Sequence, residues 1–180
     1  MKFLPTKISD VVVVELDVFR DERGLFVEFY HAEKFAKGGI AASFVQDNQS
    51  RSFRGTLRGL HAQDRRPQGK LVRTLSGEIF DVAVDIRRGS KTFGRWVGVT
   101  LAADDFRALW IPPGFAHGFC VLSEVADVEY KCTDVYDAEG QLSIAWNDPD
   151  VGVIWPIADP VLSPKDAAAP LLREVEGRLA

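Results

Sequence analysis

Apolar and polar residues alternate along most of the chain in short runs, each closed by glycine, proline or acidic residues. Phe80, Val82, Val84 and Ile86 alternate with Asp81, Ala83 and Asp85, so one face of that segment is apolar and the other carries carboxylates. The same period, or enrichment in β-branched and aromatic residues, predicts strands over 11–16, 25–30, 44–50, 57–63, 70–75, 79–86, 95–101, 107–111, 117–122 and 127–133. The turn sequence Asp21-Glu22-Arg23-Gly24 predicts that the first two form a hairpin. Ser76-Gly77-Glu78, Arg88-Gly89-Ser90 and Pro112-Pro113-Gly114 supply further tight reversals. In the 44–50 segment Gln46, Asn48 and Ser50 share one face, a polar face that needs a use. Ala32–Lys37 reads as a short helix ended by Gly38-Gly39. Ser163 as N-cap, Pro164 at the first helical position and Asp166 at the third predict the start of a final helix. Many short strands joined by tight turns predict an all-β sandwich, barrel or jelly roll with short peripheral helices.

Composition narrows the class. A chain of 180 residues, 46% of them hydrophobic, is long enough for one sizeable core, and no Ser/Gly/Pro-rich tract or charge block divides it. We read residues 1–180 as one domain. A net charge of −4 leaves no basic footprint for nucleic acid, so any anion must be met by local positive charge. Met1–Lys7 lacks the apolar core of a signal peptide and no later run is long enough to span a membrane, which predicts a cytoplasmic protein with no membrane partner. Cys120 and Cys132 form no CxxC and lie in apolar or alternating stretches, as small core residues do.

The candidate chemistry centres on Leu57-Arg58-Gly59-Leu60-His61-Ala62-Gln63, followed by Gln68-Gly69-Lys70-Leu71-Val72. His61 is one of three histidines, with His31 and His117. Imidazole is the side chain best suited to move protons near neutral pH, and Arg58 and Lys70 favour an anion formed beside it. A metal-binding cupin needs a His-x-His pair with further ligands, but Gln63 stands two beyond His61 and the other histidines are isolated, so no metal site is expected. Regular alternation would turn Arg58 and His61 to opposite faces. A bulge at Gly59 is therefore predicted, because it would bring both into one pocket.

These segments resemble the dTDP-4-dehydrorhamnose 3,5-epimerase family of deoxysugar biosynthesis. The likeness also includes Gln46-Asp47-Asn48, Phe80–Arg87, Ile111–Phe119, Tyr130–Thr133, Trp146-Asn147-Asp148 and Leu162–Asp166, and runs from about Val11 to Leu172. The resemblance implies a cupin-type jelly roll, usually a homodimer, that inverts the carbons flanking the C4 ketone of a dTDP-4-keto-6-deoxyhexose without a cofactor. It implies His61 as base, Asp166 behind its imidazole, Tyr130 as acid and Lys70 facing the developing oxyanion. It carries substrate contacts to Arg23, Glu28, Gln46, Asn48, Arg58, His117 and Lys165, with Tyr136 stacking on the thymine and some N-terminal contacts supplied by the partner subunit. The chain departs from the family pattern at three positions. Ala62 and Val135 replace aromatic residues, and Gln141 takes the place of a nucleotide-contacting glutamate. These differences bear on the substrate's substituents and on nucleotide preference, and they leave open a relative that inverts one carbon only.

Overall fold

The alternation resolves into two facing antiparallel sheets in the computed structural model, which describes residues 1–179. In chain order the strands are β1 (Lys2–Pro5), β2 (Val12–Glu15), β3 (Val18–Asp21), β4 (Gly24–Val27), β5 (Gln46–Phe53), β6 (Leu57–Gln63), β7 (Lys70–Ser76), β8 (Glu78–Asp85), β9 (Trp96–Ala102), β10 (Arg107–Ile111), β11 (Phe115–Val121), β12 (Val125–Cys132) and β13 (Gln141–Ser143). The α-helices are α1 (Ala32–Lys37), α2 (Pro164–Ala167) and α3 (Leu172–Val175). One sheet has the order β1-β2-β10-β7-β12-β5, the other β13-β6-β11-β8-β9, and β3-β4 forms a separate ribbon. The result is an all-β jelly roll with short peripheral helices.

The period-two pattern of β8 is satisfied by burial on both faces. Ile79 and Ala83 pack between the sheets with Val72, Leu109, Phe119 and Val128. Val82, Val84 and Ile86 face the other way, against Leu142, Ile144, Leu172 and Val175. The C-terminal segment is thus laid over the five-stranded sheet by its own apolar side chains, each worth roughly 1.5–3 kcal/mol when fully buried. On the far side of the other sheet, Phe35 of α1 packs with Val14, Leu71 and Trp110.

Asp85, at the end of β8, accepts hydrogen bonds from Arg87, Ser90 and Thr92. Burial alone would raise its pKa, but these donors together bring it from 3.8 to about 2. A depressed carboxylate contributes stability that is present above its unfolded value and lost as pH falls through its folded value. The shift corresponds to about 2 kcal/mol. Asp85→Asn is therefore expected to lower urea-unfolding stability at pH 7, with the gap to wild type closing towards pH 2; an equal gap at both pH values would contradict this.

Several expectations change. The Asp21–Gly24 turn does close a hairpin, but its first strand is Val18–Asp21, paired with Gly24–Val27. The valine run instead lies between β1 and β10 in the six-stranded sheet, because Val11 and Val14 are fully buried whereas the ribbon exposes Phe19, Leu25 and Phe26. The strands Lys2–Pro5, Val18–Asp21 and Gln141–Ser143 and the helix Leu172–Val175 were not anticipated. The helix begun at Ser163 is one turn long, and Pro170 separates it from α3. The segment expected at 44–50 is a strand from Gln46 to Phe53.

Candidate active site

Gly59 sets the geometry of β6. His61 pairs with His117 and Arg58 with Phe119, so Gly59 and Leu60 together stand opposite Gly118 alone. That is the expected bulge. Gly59 has φ +126°, and a Cβ there would lie 2.6 Å from Gly118 Cα and 2.7 Å from the His117 carbonyl oxygen. The Gly59–Leu60 peptide is cis. The irregularity puts Arg58 and His61 on the wall of one cavity. Gly59→Ala should cost about 2–4 kcal/mol, since overpacking adds to an unfavourable φ. Thermal denaturation checks this, and an unchanged midpoint would refute it.

The cavity, of about 430 Å³, is walled by both sheets. The five-stranded sheet contributes Arg58, His61 and His117, the six-stranded sheet contributes Ser50, Lys70 and Tyr130, and the C-terminal segment contributes Ser163, Lys165 and Asp166. Among the described residues its lining holds one carboxylate, Asp166, against Arg58, Lys70 and Lys165. A cavity with that balance favours an anion.

His61 Nε2 lies 2.6 Å from Asp166 Oδ1, across 105 positions of sequence. The helix start makes this possible: Ser163 Oγ accepts from the Asp166 backbone N–H at 3.1 Å, which leaves the Asp166 side chain free to turn inward. Capping and support of His61 are therefore compatible. Burial would raise the Asp166 pKa, but bonding to His61, Ser163 and the Gly59 amide outweighs it and holds the carboxyl below its usual range. With Nε2–H donating to this carboxylate, His61 Nδ1 is the ring nitrogen able to accept a proton.

Tyr130 enters from β12 on the facing sheet. Burial raises its phenol pKa and so preserves the proton it has to give. Lys70 Nζ stands 5.8 Å from the Tyr130 ring centroid. Burial lowers the Lys70 pKa against the opposing pull of Cys132 and Asp81; an anion forming nearby would favour its charged form. Arg58 donates from Nε to Ser52 Oγ at 3.0 Å, so a neutral hydroxyl holds it and its charge is left for the cavity.

Buried His117 forms a second pair, its Nε2 lying 2.6 Å from Asp81 Oδ1. Burial keeps the His117 pKa below its ordinary value despite that carboxylate. Sequence reasoning passed over Asp81, although a carboxylate within an apolar strand signals a partner. It also passed over Ser52 as the support of Arg58, for which no comparable signal exists.

A smaller cavity of about 140 Å³ adjoins the first and shares His61, Lys70, Tyr130 and Gln141 with it. Gln46, Asn48, Ala62, Gln63, Gln68 and Tyr136 complete its wall. The Tyr136 hydroxyl donates to Gln141 Oε1 at 2.7 Å, and its backbone N–H donates to Gln46 Oε1 at 2.8 Å. Arg23 and Glu28 line neither cavity: Arg23 pairs with Asp21 on the ribbon, and Glu28 with Lys34. Cys120 and Cys132 are buried and unpaired, and burial pushes the Cys120 thiol up to about 11. Among the described residues no cluster of three or more His, Cys, Asp or Glu suits a metal ion, and no helix is long and apolar enough to cross a membrane.

Comparison with known proteins gives consistent matches. The family model described as dTDP-4-dehydrorhamnose 3,5-epimerase matches residues 5–174. A dTDP-4-dehydrorhamnose 3,5-epimerase from Pseudomonas aeruginosa is 55% identical over 168 residues, which cover 92% of this chain and 93% of that protein. A dTDP-4-dehydrorhamnose 3-epimerase from Streptomyces niveus is 38% identical over 176 residues, covering 97% of this chain and 85% of the relative. The crystal structure of dTDP-6-deoxy-D-glucose-3,5-epimerase from Legionella pneumophila with dTDP-4-keto-L-rhamnose superposes with a TM-score of 0.95 at 51% identity, over 99% of this chain and 96% of that one.

Proposed function

Because the chain belongs to the dTDP-4-dehydrorhamnose 3,5-epimerase family, we propose that it converts dTDP-4-keto-6-deoxyglucose to dTDP-4-keto-L-rhamnose by inverting C3 and C5. The observation that carries this reading is the placement of a carboxylate-backed histidine and a protonated tyrosine on facing sheets of one cation-rich cavity. His61 Nδ1 removes the proton α to the C4 ketone, and Asp166 steadies the imidazolium that results. The electron pair moves onto the ketone oxygen, where Lys70 stabilises the enolate. Tyr130 then delivers a proton to the opposite face of the same carbon, which inverts it. His61 then releases its proton to water and Tyr130 takes one up, and the sequence is repeated at the second carbon.

The rest of the site serves binding. Arg58 and Lys165 take the diphosphate, His117 contacts the sugar, and Tyr136 stacks on the thymine with Gln46, Asn48 and Gln141 around it. Arg23 and Glu28 reach the site of a second subunit in a homodimer; the exposed Phe19 and Phe26 on their ribbon support that arrangement. We read residues 1–180 as one domain of a cytoplasmic enzyme; the charge of −4 argues against a nucleic-acid partner, and the local cations Arg58, Lys70 and Lys165 meet the anionic substrate.

The similarity to the Streptomyces niveus 3-epimerase favours one second reading, inversion at C3 alone. Incubation with dTDP-4-keto-6-deoxyglucose in D2O, followed by NMR, separates the two. Deuterium at both C3 and C5 is the expected result, label at C3 alone supports the second reading, and label at neither carbon overturns both.

A further inference from the structure

Gln63 occupies the position where a metal-binding cupin would complete a His-x-His pair, and the acid–base chemistry makes no use of it. It lies two residues beyond His61 on β6, and only 7% of it is exposed. Its side chain reaches the loop between β12 and β13. There Nε2 donates to the Val135 carbonyl at 3.4 Å and Oε1 accepts from the Asp137 N–H at 2.7 Å, while Nε2 also donates to the carbonyl of Arg66, in the loop between β6 and β7, at 2.9 Å. The amide thus grips the residues immediately before and after Tyr136.

The Tyr136 loop needs such a grip. It belongs to no strand, so its backbone polar groups find partners in side chains. The Tyr136 residue is 55% exposed, and packing alone does not fix its ring. Its own N–H and hydroxyl go to Gln46 and Gln141. The function required at position 63 is donor and acceptor on one uncharged group. A carboxylate has no hydrogen for the Val135 and Arg66 carbonyls, and an ammonium has no lone pair for the Asp137 N–H.

We propose that Gln63 is a positioning residue that holds Tyr136 ready to stack on the flat base of the substrate's nucleotide. It couples the nucleotide end of the site to β6, the strand that carries His61. The proposal rests on the nucleotide-sugar reading above. Preorganisation of this kind appears in affinity and leaves the chemical step alone.

The test uses the full-length chain with Gln63→Glu and Gln63→Met; the near-isosteric Gln63→Glu decides the matter if Gln63→Met does not fold. Both variants are expected to bind dTDP about tenfold more weakly and to raise KM similarly, with kcat held within about twofold. Amide hydrogen exchange at Tyr136 and Asp137 should accelerate. In a Tyr136→Ala background Gln63→Glu should weaken dTDP binding no further, because both changes act through one ring. Additive losses, a fall in kcat at unchanged KM, or faster loop exchange with unaltered dTDP affinity would each overturn the proposal. Failure of the wild type to bind dTDP would instead count against the nucleotide-sugar reading, and the exchange measurement would still show whether Gln63 holds the loop.

Discussion

His61→Ala is expected to lower epimerisation by about two to four orders of magnitude, the range a positioned general base supplies, while dTDP binding is retained. His61 lies on the cavity wall, and 30% of its side chain is exposed, so its removal leaves a hole that water can fill rather than a void in the core. Asp166→Asn separates support of the base from helix capping. The Ser163 Oγ cap bond is made to the Asp166 backbone N–H, so the substitution keeps that bond while removing the charge behind His61. Turnover should fall by at least about tenfold, since the imidazolium loses its counter-charge. Steady-state kinetics check this. Unchanged turnover would remove Asp166 from the support of His61.

The second large effect is expected at Tyr130. Tyr130→Phe removes one oxygen and keeps the ring that faces Lys70 and His117, whose own ring centroid is 6.2 Å away. Inversion should slow by about two to four orders of magnitude because the opposite face loses its acid. KM should change little if the phenol acts in proton transfer and not in holding the substrate. A normal kcat in this variant would remove Tyr130 from the reaction.

The particular residues show what was readable in advance. Alternation along β8 predicted its two faces, because side-chain period and burial are local consequences of one strand's geometry. The Gly59 bulge was readable for a related reason: two side chains three positions apart had to share a pocket, and glycine was the residue able to absorb the irregularity. The hairpin was half right. Its turn is local chemistry, whereas the choice of Val18–Asp21 over the valine run depends on which strand the distant β10 recruits. The His117–Asp81 pair spans 36 positions and two adjacent strands, so spacing alone could not join its members. Gln46 and Gln141 were expected to touch substrate. Their side-chain carbonyl oxygens also hold Tyr136, a use that depends on an irregular loop with no periodic signature. Arg23 and Glu28 lie on or beside a ribbon whose site contacts, if made to a second subunit, fall outside one chain's geometry.

The central claim is that base and acid address opposite faces of the same carbon. The direct measurement follows Tyr130→Phe and wild type side by side in D2O with dTDP-4-keto-6-deoxyglucose, reading deuterium entry and configuration separately by NMR. Wild type should give deuterium with inversion. In Tyr130→Phe, His61 still removes the α proton and returns a deuteron to the face it left, so exchange with retention should continue while inversion is lost. Inversion at the wild-type rate, or loss of exchange together with inversion, would contradict the division of roles between His61 and Tyr130.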